Sequence, residues 1–242
     1  QPRLVETAGG LLNSIGLQNM GVERLVREMA PIWARWQVPV LVNIAGEQVE
    51  DYAELARRLD GVPGVAGLEV NISCPNVERG GMEFGTSPAA TEQVLRAVRE
   101  VTSLPVVAKL SPNVTDITEI ARAAVAGGAD AVCLINTLTG MAIDPVTRRV
   151  FKGGLSGPAV KPVALYMVHR VAGAVTVPVI GCGGISTGRD AAEFLLAGAT
   201  AVQVGTANFA HPRACLNVLE GLVSFLEEHG IEDVGSLIGT VR

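Results

Sequence analysis

Short apolar runs alternate with amphipathic segments along the whole chain. Six runs rich in Val, Ile and Leu are nearly continuous in apolar residues, which is typical of strands buried on both faces of a parallel sheet. The segments between them carry apolar residues at helical spacing, so the pattern predicts an α/β protein made of repeated strand–helix units. The predicted strands cover residues 38–44, 66–72, 106–110, 131–135, 177–180 and 201–204. The predicted helices cover residues 22–36, 49–59, 89–101, 117–126, 158–172 and 191–197.

Polar residues and glycines gather at the C-terminal ends of the predicted strands. In a (β/α)8 barrel this edge carries the active site, and phosphate commonly binds after the seventh and eighth strands. The last two ends place glycines between a strand and a helix, where backbone N–H groups can approach a phosphate. The ends read N-I-A-G (43–46), N-I-S-C-P-N (71–76), K-L-S-P-N (109–113), I-N-T (135–137), G-C-G-G (181–184) and G-T-A-N (205–208).

These features predict one TIM (β/α)8-barrel domain over residues 1–242, with the last two runs as strands seven and eight. Counting back from them leaves six strands, so the first two strands are expected to be missing and the domain to be N-terminally incomplete. The alternative is an open six-stranded sheet, which would expose edges that a barrel closes.

Composition narrows the classes of function. With 242 residues, 48% of them hydrophobic, the chain can bury one large core. The net charge of −5 and the lack of a Lys/Arg-rich run argue against nucleic-acid or anionic-membrane binding. No apolar stretch is long enough for a spanning helix and no signal peptide begins the chain, so we expect a cytoplasmic protein. The cysteines and histidines lack metal-ligand spacing, and we predict no metal or iron–sulfur cluster on this chain.

Cys74 is the candidate catalytic base. It follows a predicted strand and precedes Pro75, which cannot continue the ladder of hydrogen bonds, so the thiol is expected at the mouth of the barrel. Ser73 and the amides of Asn71 and Asn76 suit a loop that holds a polar ligand beside a thiol. A free cysteine is more often a packing residue, and that role is predicted for Cys133, Cys182 and Cys215.

Lys109 interrupts an apolar strand, where a lysine is costly unless it meets an anion or becomes neutral. It could form a Schiff base with a carbonyl substrate, stabilise the negative charge of a reduced flavin, or belong to a structural ion pair. The amides of Asn43, Asn71 and Asn136 end three different strands. With Lys109 and Thr137 they are expected to line one cavity that suits a heterocycle with carbonyl groups.

The segment G-G-L-S-G-P (153–158) is predicted as a glycine loop that leads into a helix, with Pro158 in its first turn. It is a second candidate for close approach to a cofactor. No G-x-G-x-x-G or Walker motif occurs, so a Rossmann nucleotide site is not predicted.

Taken together, several motifs resemble class 1 dihydroorotate dehydrogenase over essentially the whole chain. Cysteine rather than serine in the base loop is like class 1, and N-T-L-T-G-M-A-I-D (136–144) with G-T-A-N-F (205–209) looks like the NAD-linked 1B branch. The other matching motifs are L-N-S-I-G-L-Q-N (12–19), N-I-S-C-P-N-V-x-x-G-G (71–81), K-L-S-P-N-V-T-D-I (109–117) and G-G-L-S-G-P-A (153–159).

The resemblance implies an FMN enzyme that oxidises (S)-dihydroorotate to orotate in pyrimidine (UMP) biosynthesis. Cys74 would remove the C5 proton while hydride passes from C6 to flavin N5. A partner subunit would carry FAD and a 2Fe–2S cluster, in a heterotetramer built on a homodimer of this chain. The implied substrate-binding residues are Asn13, Ser14, Ile15, Gly16, Leu17, Asn71, Asn136 and Thr137. The implied FMN-binding residues are Asn43, Asn71, Lys109, Ile135, Gly157, Gly183, Gly184, Gly205 and Thr206.

Three alternatives remain at this point. A dihydropyrimidine dehydrogenase subunit resembles the chain around the cysteine loop and would use uracil or thymine. A Schiff-base aldolase would use Lys109. An inactive binding subunit would dock a partner without turnover.

Overall fold

The computed structural model describes residues 3–73 and 84–241. Packing of Cα atoms divides the chain into two compact units. Unit 1 comprises Gln1–Gly16 and Cys133–Arg242, and unit 2 comprises Leu17–Val132. Strand β6 (Ala131–Leu134) crosses the division between them.

Unit 2 is built on three parallel strands in which β4 lies between β3 and β5. The first four residues of β4 are buried, as expected for a strand covered on both faces. Helices α3, α4 and α5 pack side by side in chain order. The strands are β3 (Leu41–Ile44), β4 (Gly67–Asn71) and β5 (Val106–Lys109), and the helices are α3 (Val49–Leu59), α4 (Pro88–Arg99) and α5 (Ile117–Ala126), with a 3-10 turn at Phe84–Thr86.

The helices of unit 2 begin where the sequence supplies caps. Ser87 accepts a hydrogen bond from the N–H of Ala90, and Pro88 occupies the first turn of α4, where its missing N–H is harmless. Gln48 and Asp51 form a reciprocal capping box at the start of α3. The polar residues before each apolar stretch therefore fix where these helices start.

The predicted helix over residues 22–36 is helical over residues 22–33 but is not a uniform α-helix. Pro31 lacks the N–H that would bond to the carbonyl group four residues earlier, and the hydrogen-bond pattern changes just before it. The segment consists of α1 (Val22–Arg24), a π-helix (Leu25–Met29) and α2 (Ala30–Trp33).

Unit 1 contains parallel strands β9 and β10, with helices α6, α7 and α9. Helix α7 packs closely on α9, since a methyl group on Gly188 would lie 2.0 Å from the carbonyl carbon of Gly221. The elements are β9 (Val179–Cys182), β10 (Ala201–Gln203), α6 (Lys161–Ala172), α7 (Gly188–Leu196), α8 (Ala207–Ala210) and α9 (Ala214–Glu228), with 3-10 turns at Pro158–Val160 and Val234–Leu237.

Unit 1 also contains a four-stranded antiparallel sheet that was not predicted. Its order is β1-β2-β8-β7. The prediction of a glycine loop over residues 153–158 is wrong for its first part, because β8 runs to Ser156. Gly153 lies against β2, where a methyl group would be 2.2 Å from the carbonyl oxygen of Asn13, so its glycine serves close strand packing. The strands are β1 (Leu4–Thr7), β2 (Gly10–Asn13), β7 (Leu138–Ile143) and β8 (Val150–Ser156).

All six predicted parallel strands are present, with small differences at their ends. Strand β3 begins at Leu41 rather than at residue 38, because Pro39 cannot donate to a ladder and Val38 is exposed. Pro158 stands in the first turn of a 3-10 segment, as predicted, and α6 follows it. The packing role predicted for Cys215 is wrong, since this residue is exposed on α9, whereas Cys133 is buried as predicted.

Candidate functional site

Four polar side chains occupy neighbouring positions near the C-terminal ends of the strands in unit 2. The parallel register places Asn43 opposite Glu69 and Asn71 opposite Lys109. The Asn43 Nδ2 group donates to Glu69 Oε1 at 2.7 Å, and Lys109 Nζ lies 4.0 Å from Glu69 Oε2. Three predicted site residues of unit 2 therefore lie on adjacent strands, together with an acidic residue that was not predicted.

The structural ion pair that was one alternative for Lys109 is present. Lys109 and Glu69 are each only 8% exposed. Burying two charges is tolerated when they are paired and otherwise hydrogen-bonded, but it seldom stabilises a fold more than an apolar pair would. The pair therefore explains how a buried lysine is accommodated in β5.

Two hydrogen bonds order the end of β4, just before the segment that contains Cys74. The Ser73 hydroxyl donates to Asn71 Oδ1 at 2.9 Å, and the hydroxyl of buried Tyr52 donates to the Asn71 carbonyl oxygen, also at 2.9 Å. Helix α3, through Tyr52, thus fixes the backbone at the end of β4. The predicted base, Cys74, and the neighbouring Asn76 lie outside the described residues.

In unit 1 the loops after β8, β9 and β10 meet. A methyl group on Gly184 would lie 2.8 Å from the carbonyl oxygen of Gly157, and one on Gly157 would lie 3.5 Å from Thr206 Cγ2. A methyl group on Gly183 would come within 3.2 Å of Ile135 Cγ1. Gly157, Gly183 and Gly184 all have positive φ, which other residues adopt at a cost.

These contacts bring together five of the predicted cofactor residues. At Gly205, by contrast, a methyl group would meet no other atom within 4 Å, so the backbone there borders open space. Because glycines carry no side chain, this glycine cradle leaves backbone N–H groups that a phosphate group can approach. The geometry of this part of unit 1 therefore fits the phosphate end of a nucleotide cofactor.

Gly154 brings together two predicted substrate residues of unit 1. Its carbonyl oxygen accepts from Asn13 Nδ2 at 3.2 Å, and a methyl group on Gly154 would lie only 2.2 Å from Thr137 Oγ1. The Asn136 side chain accepts from the N–H of Thr137 at 2.8 Å, which orders the turn after β6. Of the neighbouring predicted residues, Ser14, Ile15 and Gly16 are exposed in unit 1, and Leu17 is exposed in unit 2.

A buried carboxylate supports the loop that carries Gly183 and Gly184. Asp190 accepts hydrogen bonds from the backbone N–H and hydroxyl groups of Ser186 and Thr187, and from Lys161 Nζ at 2.6 Å. Lys161 also donates to Glu193 at 2.8 Å. Burial raises the pKa of Asp190, but the hydrogen bonds from Lys161, Ser186 and Thr187 outweigh it and lower the pKa from 3.8 to about 2.

Lys161 links this cluster to the glycines, because its Cβ atom would lie 2.8 Å from a methyl group on Gly184. Hydrogen bonds from Lys161 to Asp190 and then to Glu193 raise the pKa of the lysine, so it stays charged at neutral pH. The first turns of α6 and α7 are therefore joined by an ion pair directly beside the glycine cradle.

No group of three or more His, Cys, Asp or Glu side chains among residues 3–73 and 84–241 is arranged to hold a metal ion. Within the same ranges, no helix combines the length and the apolar character needed to cross a membrane.

Comparison with known proteins gives a consistent result over the whole chain. Residues 1–226 match the sequence model of the family described as "Dihydroorotate dehydrogenase". The relative from Geotalea uraniireducens is 59% identical over 99% of this chain and 80% of its own length. Those from Desulforudis audaxviator and Pelobacter propionicus are 60% and 56% identical, over all of this chain and 80% and 81% of theirs. All three are named "Dihydroorotate dehydrogenase B (NAD(+)), catalytic subunit".

The chain belongs to the dihydroorotate dehydrogenase family.

Family membership confirms three of the predictions made from the sequence. The resemblance to dihydroorotate dehydrogenase, the branch named for NAD, and the α/β class with its barrel fold are all as predicted. Membership also implies a flavin cofactor, and relatives that are named catalytic subunits imply a separate partner subunit.

Two residues beside the predicted site residues were missed by sequence reasoning. Glu69 interrupts the buried run G-L-E-V as Lys109 interrupts V-V-A-K-L, so the argument used for the lysine could have found it. Asp190 stands three residues after Thr187 at the start of α7, which is the spacing of a capping box. Nothing in the sequence pairs Asp190 with Lys161, because that contact joins two different helices.

Proposed function

We propose that this chain catalyses the FMN-dependent oxidation of (S)-dihydroorotate to orotate in pyrimidine (UMP) biosynthesis, within an NAD-linked enzyme. The observation that carries the proposal is the backbone cradle of Gly157, Gly184 and Thr206, in a chain whose relatives at 55–60% identity are dihydroorotate dehydrogenase B catalytic subunits. A cradle at this place supports a phosphate-bearing cofactor, and the family supports a flavin.

Each unit, taken by itself, supplies groups of a kind that FMN binds. In unit 1, a Cβ atom at Gly183 would collide with Ala164 and one at Gly184 with Gly157, so glycine lets these loops pack closely, and the phosphate would lie against their backbone beside Gly205, which borders open space. In unit 2, Asn43, Asn71 and Lys109 supply amide and ammonium groups of the kind that bind the polar edge of a flavin ring. When bound, FMN supplies the acceptor, at its N5 atom, for the hydride from C6 of dihydroorotate. The proposed FMN-binding set is Asn43, Asn71, Lys109, Ile135, Gly157, Gly183, Gly184, Gly205 and Thr206.

The chain's own residues would bind the substrate and move one proton. Cys74, as a thiolate, would take the proton from C5, because removal of both hydrogens leaves the C5–C6 double bond of orotate. An ordinary thiol has a pKa of about 8.5, so the base is more effective at mildly alkaline pH unless its surroundings favour the thiolate. The amides would hold the carbonyl groups of the ring. The proposed substrate-binding set is Asn13, Ser14, Ile15, Gly16, Leu17, Asn71, Asn136 and Thr137.

The test is the absorption spectrum of the purified protein before and after anaerobic addition of dihydroorotate. We expect a flavin spectrum that bleaches rapidly. Cys74→Ser should retain FMN and slow the bleaching by about 10²-fold or more, since a serine hydroxyl is a much weaker acid than a thiol and is not ionised near neutral pH. Unchanged bleaching in Cys74→Ser would refute the assignment of the base.

The absorption experiment, together with borohydride trapping and a partner-binding assay, separates the alternatives. Bleaching by dihydrouracil but not by dihydroorotate would identify a dihydropyrimidine dehydrogenase subunit. A colourless protein whose Lys109 forms a stable adduct with a carbonyl substrate after borohydride reduction would identify an aldolase. A protein that binds a partner but is never reduced would identify an inactive binding subunit.

The partner that relatives' names imply is proposed to be an iron–sulfur flavoprotein subunit with FAD and a 2Fe–2S cluster, in a heterotetramer built on a homodimer of this chain. Co-expression of the two chains should yield a complex that reduces NAD⁺ with dihydroorotate. Sedimentation of the complex gives its stoichiometry. A cytoplasmic location is part of the same proposal and is tested by cell fractionation.

A further inference from the structure

Glu69 is a buried charge that the mechanism proposed above does not use. It is 8% exposed and lies on the central strand of unit 2, where an apolar side chain would pack at lower cost. Buried ionisable groups beside a ligand site are frequently functional. The burial of this carboxylate therefore indicates a function for Glu69 beyond support of the sheet.

Two different neighbours engage the two oxygens of the Glu69 carboxylate. Asn43 donates to Oε1 at 2.7 Å, whereas Lys109 Nζ lies 4.0 Å from Oε2. The first distance is that of a good hydrogen bond, and the second is too long for one. Asn43 thus holds the carboxylate in place, and the carboxylate acts on the ammonium group of Lys109 mainly through its charge.

We propose that Glu69 is a positioning residue that acts through Lys109. It holds the ammonium group at the proposed flavin edge and offsets part of its charge, and in this way it sets the reduction potential of the bound flavin. The inference rests on the proposed function, because it takes Lys109 to face FMN.

The effect of each substitution follows from the charges. Glu69→Gln keeps the shape and the acceptor for Asn43 but removes the negative charge 4.0 Å from Lys109, which favours the more negative, reduced flavin. Lys109→Met removes the ammonium group through which Glu69 is proposed to act. Replacing Glu69 in the Lys109→Met background should therefore change little.

The experiment measures the midpoint potential of bound FMN in four proteins: the parent, Glu69→Gln, Lys109→Met and the double variant. We expect Glu69→Gln to raise the potential, equivalent to a preference for reduced over oxidised FMN that increases on the order of tenfold. The double variant should have nearly the potential of Lys109→Met. Glu119→Gln, which removes an exposed charge from the same unit, is the matched control and should have no effect.

An unchanged or lower potential in Glu69→Gln would overturn the inference. So would an equal shift in the presence and absence of Lys109, because Glu69 would then act without it. If Glu69→Gln fails to fold, Glu69→Asp takes its place, because the shorter side chain moves the negative charge away from Lys109. This variant should raise the midpoint potential by a smaller amount, and an unchanged potential would also overturn the inference. If the parent protein itself binds no FMN, the proposed function fails, whereas a parent that dihydroorotate reduces leaves that function intact.

Discussion

Asp190 orders the loop beside the glycine cradle through its hydrogen bonds, and replacing it with asparagine tests that role. In Asp190→Asn the shape of the side chain is kept, but the charge is lost and an amide N–H₂ group faces donors. The carboxylate now accepts from Lys161, Ser186 and Thr187. The substitution should therefore destabilise the folded protein and loosen the segment between β9 and α7.

The loss of stability expected in Asp190→Asn follows from the lowered pKa of Asp190. Its decrease from 3.8 to about 2 corresponds to about 2.4 kcal/mol of stability at neutral pH. The Asp190 side chain is 12% exposed and that of Lys161 is 25% exposed, so screening by solvent lowers this contribution somewhat. We expect Asp190→Asn to reduce the free energy of unfolding at pH 7 by about 2 kcal/mol, or to lower the melting temperature by roughly 4–8 °C.

The stabilisation that Asp190 provides should depend on pH. The pKa of Asp190 is lower in the folded than in the unfolded chain, so its contribution is complete above about pH 5 and is lost as the pH falls from about 4 to 2. At pH 3 roughly half of it should remain. Urea unfolding followed by circular dichroism at pH 7, 5 and 3 measures the difference between parent and variant.

The capping box at α3 provides the control. Asp51 occupies the equivalent place, but it is exposed and accepts from backbone N–H groups. Asp51→Asn should cost less than about 1 kcal/mol. Equal losses in Asp51→Asn and Asp190→Asn, or a loss in Asp190→Asn that does not diminish at pH 3, would contradict the role given to Lys161.

Two further predictions concern packing and surface charge. Gly188→Ala should destabilise the protein by about 3 kcal/mol, since the new methyl group would lie 2.0 Å from the backbone of α9. In the control Gly173→Ala the nearest atoms are 3.9 Å away, and stability should change by less than about 0.5 kcal/mol. Equal melting temperatures of these two variants would contradict the close contact of α7 and α9. Arg99→Met should lower the free energy of unfolding in urea by about 1–3 kcal/mol, because the guanidinium group donates to the Asp130 carboxylate and to the carbonyl oxygens of Thr102 and Leu104. Arg96→Met breaks only an exposed ion pair on the same helix and should lower it by less than about 0.5 kcal/mol. Similar losses in both would show that the carbonyl contacts of Arg99 add nothing.

The parallel strands could be predicted because their burial is written in the sequence as continuous apolar runs. Val106–Lys109 is buried throughout, and its one charged residue marked a site for that reason. The antiparallel sheet could not be predicted in the same way. Strand β7 contains Gly140 and alternates between exposed and half-buried residues, and β8 contains two consecutive glycines, which are as typical of a turn as of close strand packing.

Within the site, residue types were easier to predict than their partners. Glycines at Gly183 and Gly184 follow from a strand that ends before a helix, and the structure gives both a positive φ. The pairing of Glu69 with Lys109 depends on the register of two strands, and that of Lys161 with Asp190 on the contact of two helices. Such contacts between distant positions leave no periodic trace along the chain.

The cluster at α6 and α7 also determines what kind of attraction a phosphate group would meet at the neighbouring cradle. Lys161 is hydrogen-bonded to two carboxylates, so the three side chains together carry a net negative charge at neutral pH. They would not draw an anion from a distance. Aligned backbone dipoles at the glycines can supply an attraction that is short-ranged and directional. This cluster therefore adds no electrostatic steering to the approach of a phosphate, and at the glycines the fit of the phosphate to the backbone gains in importance.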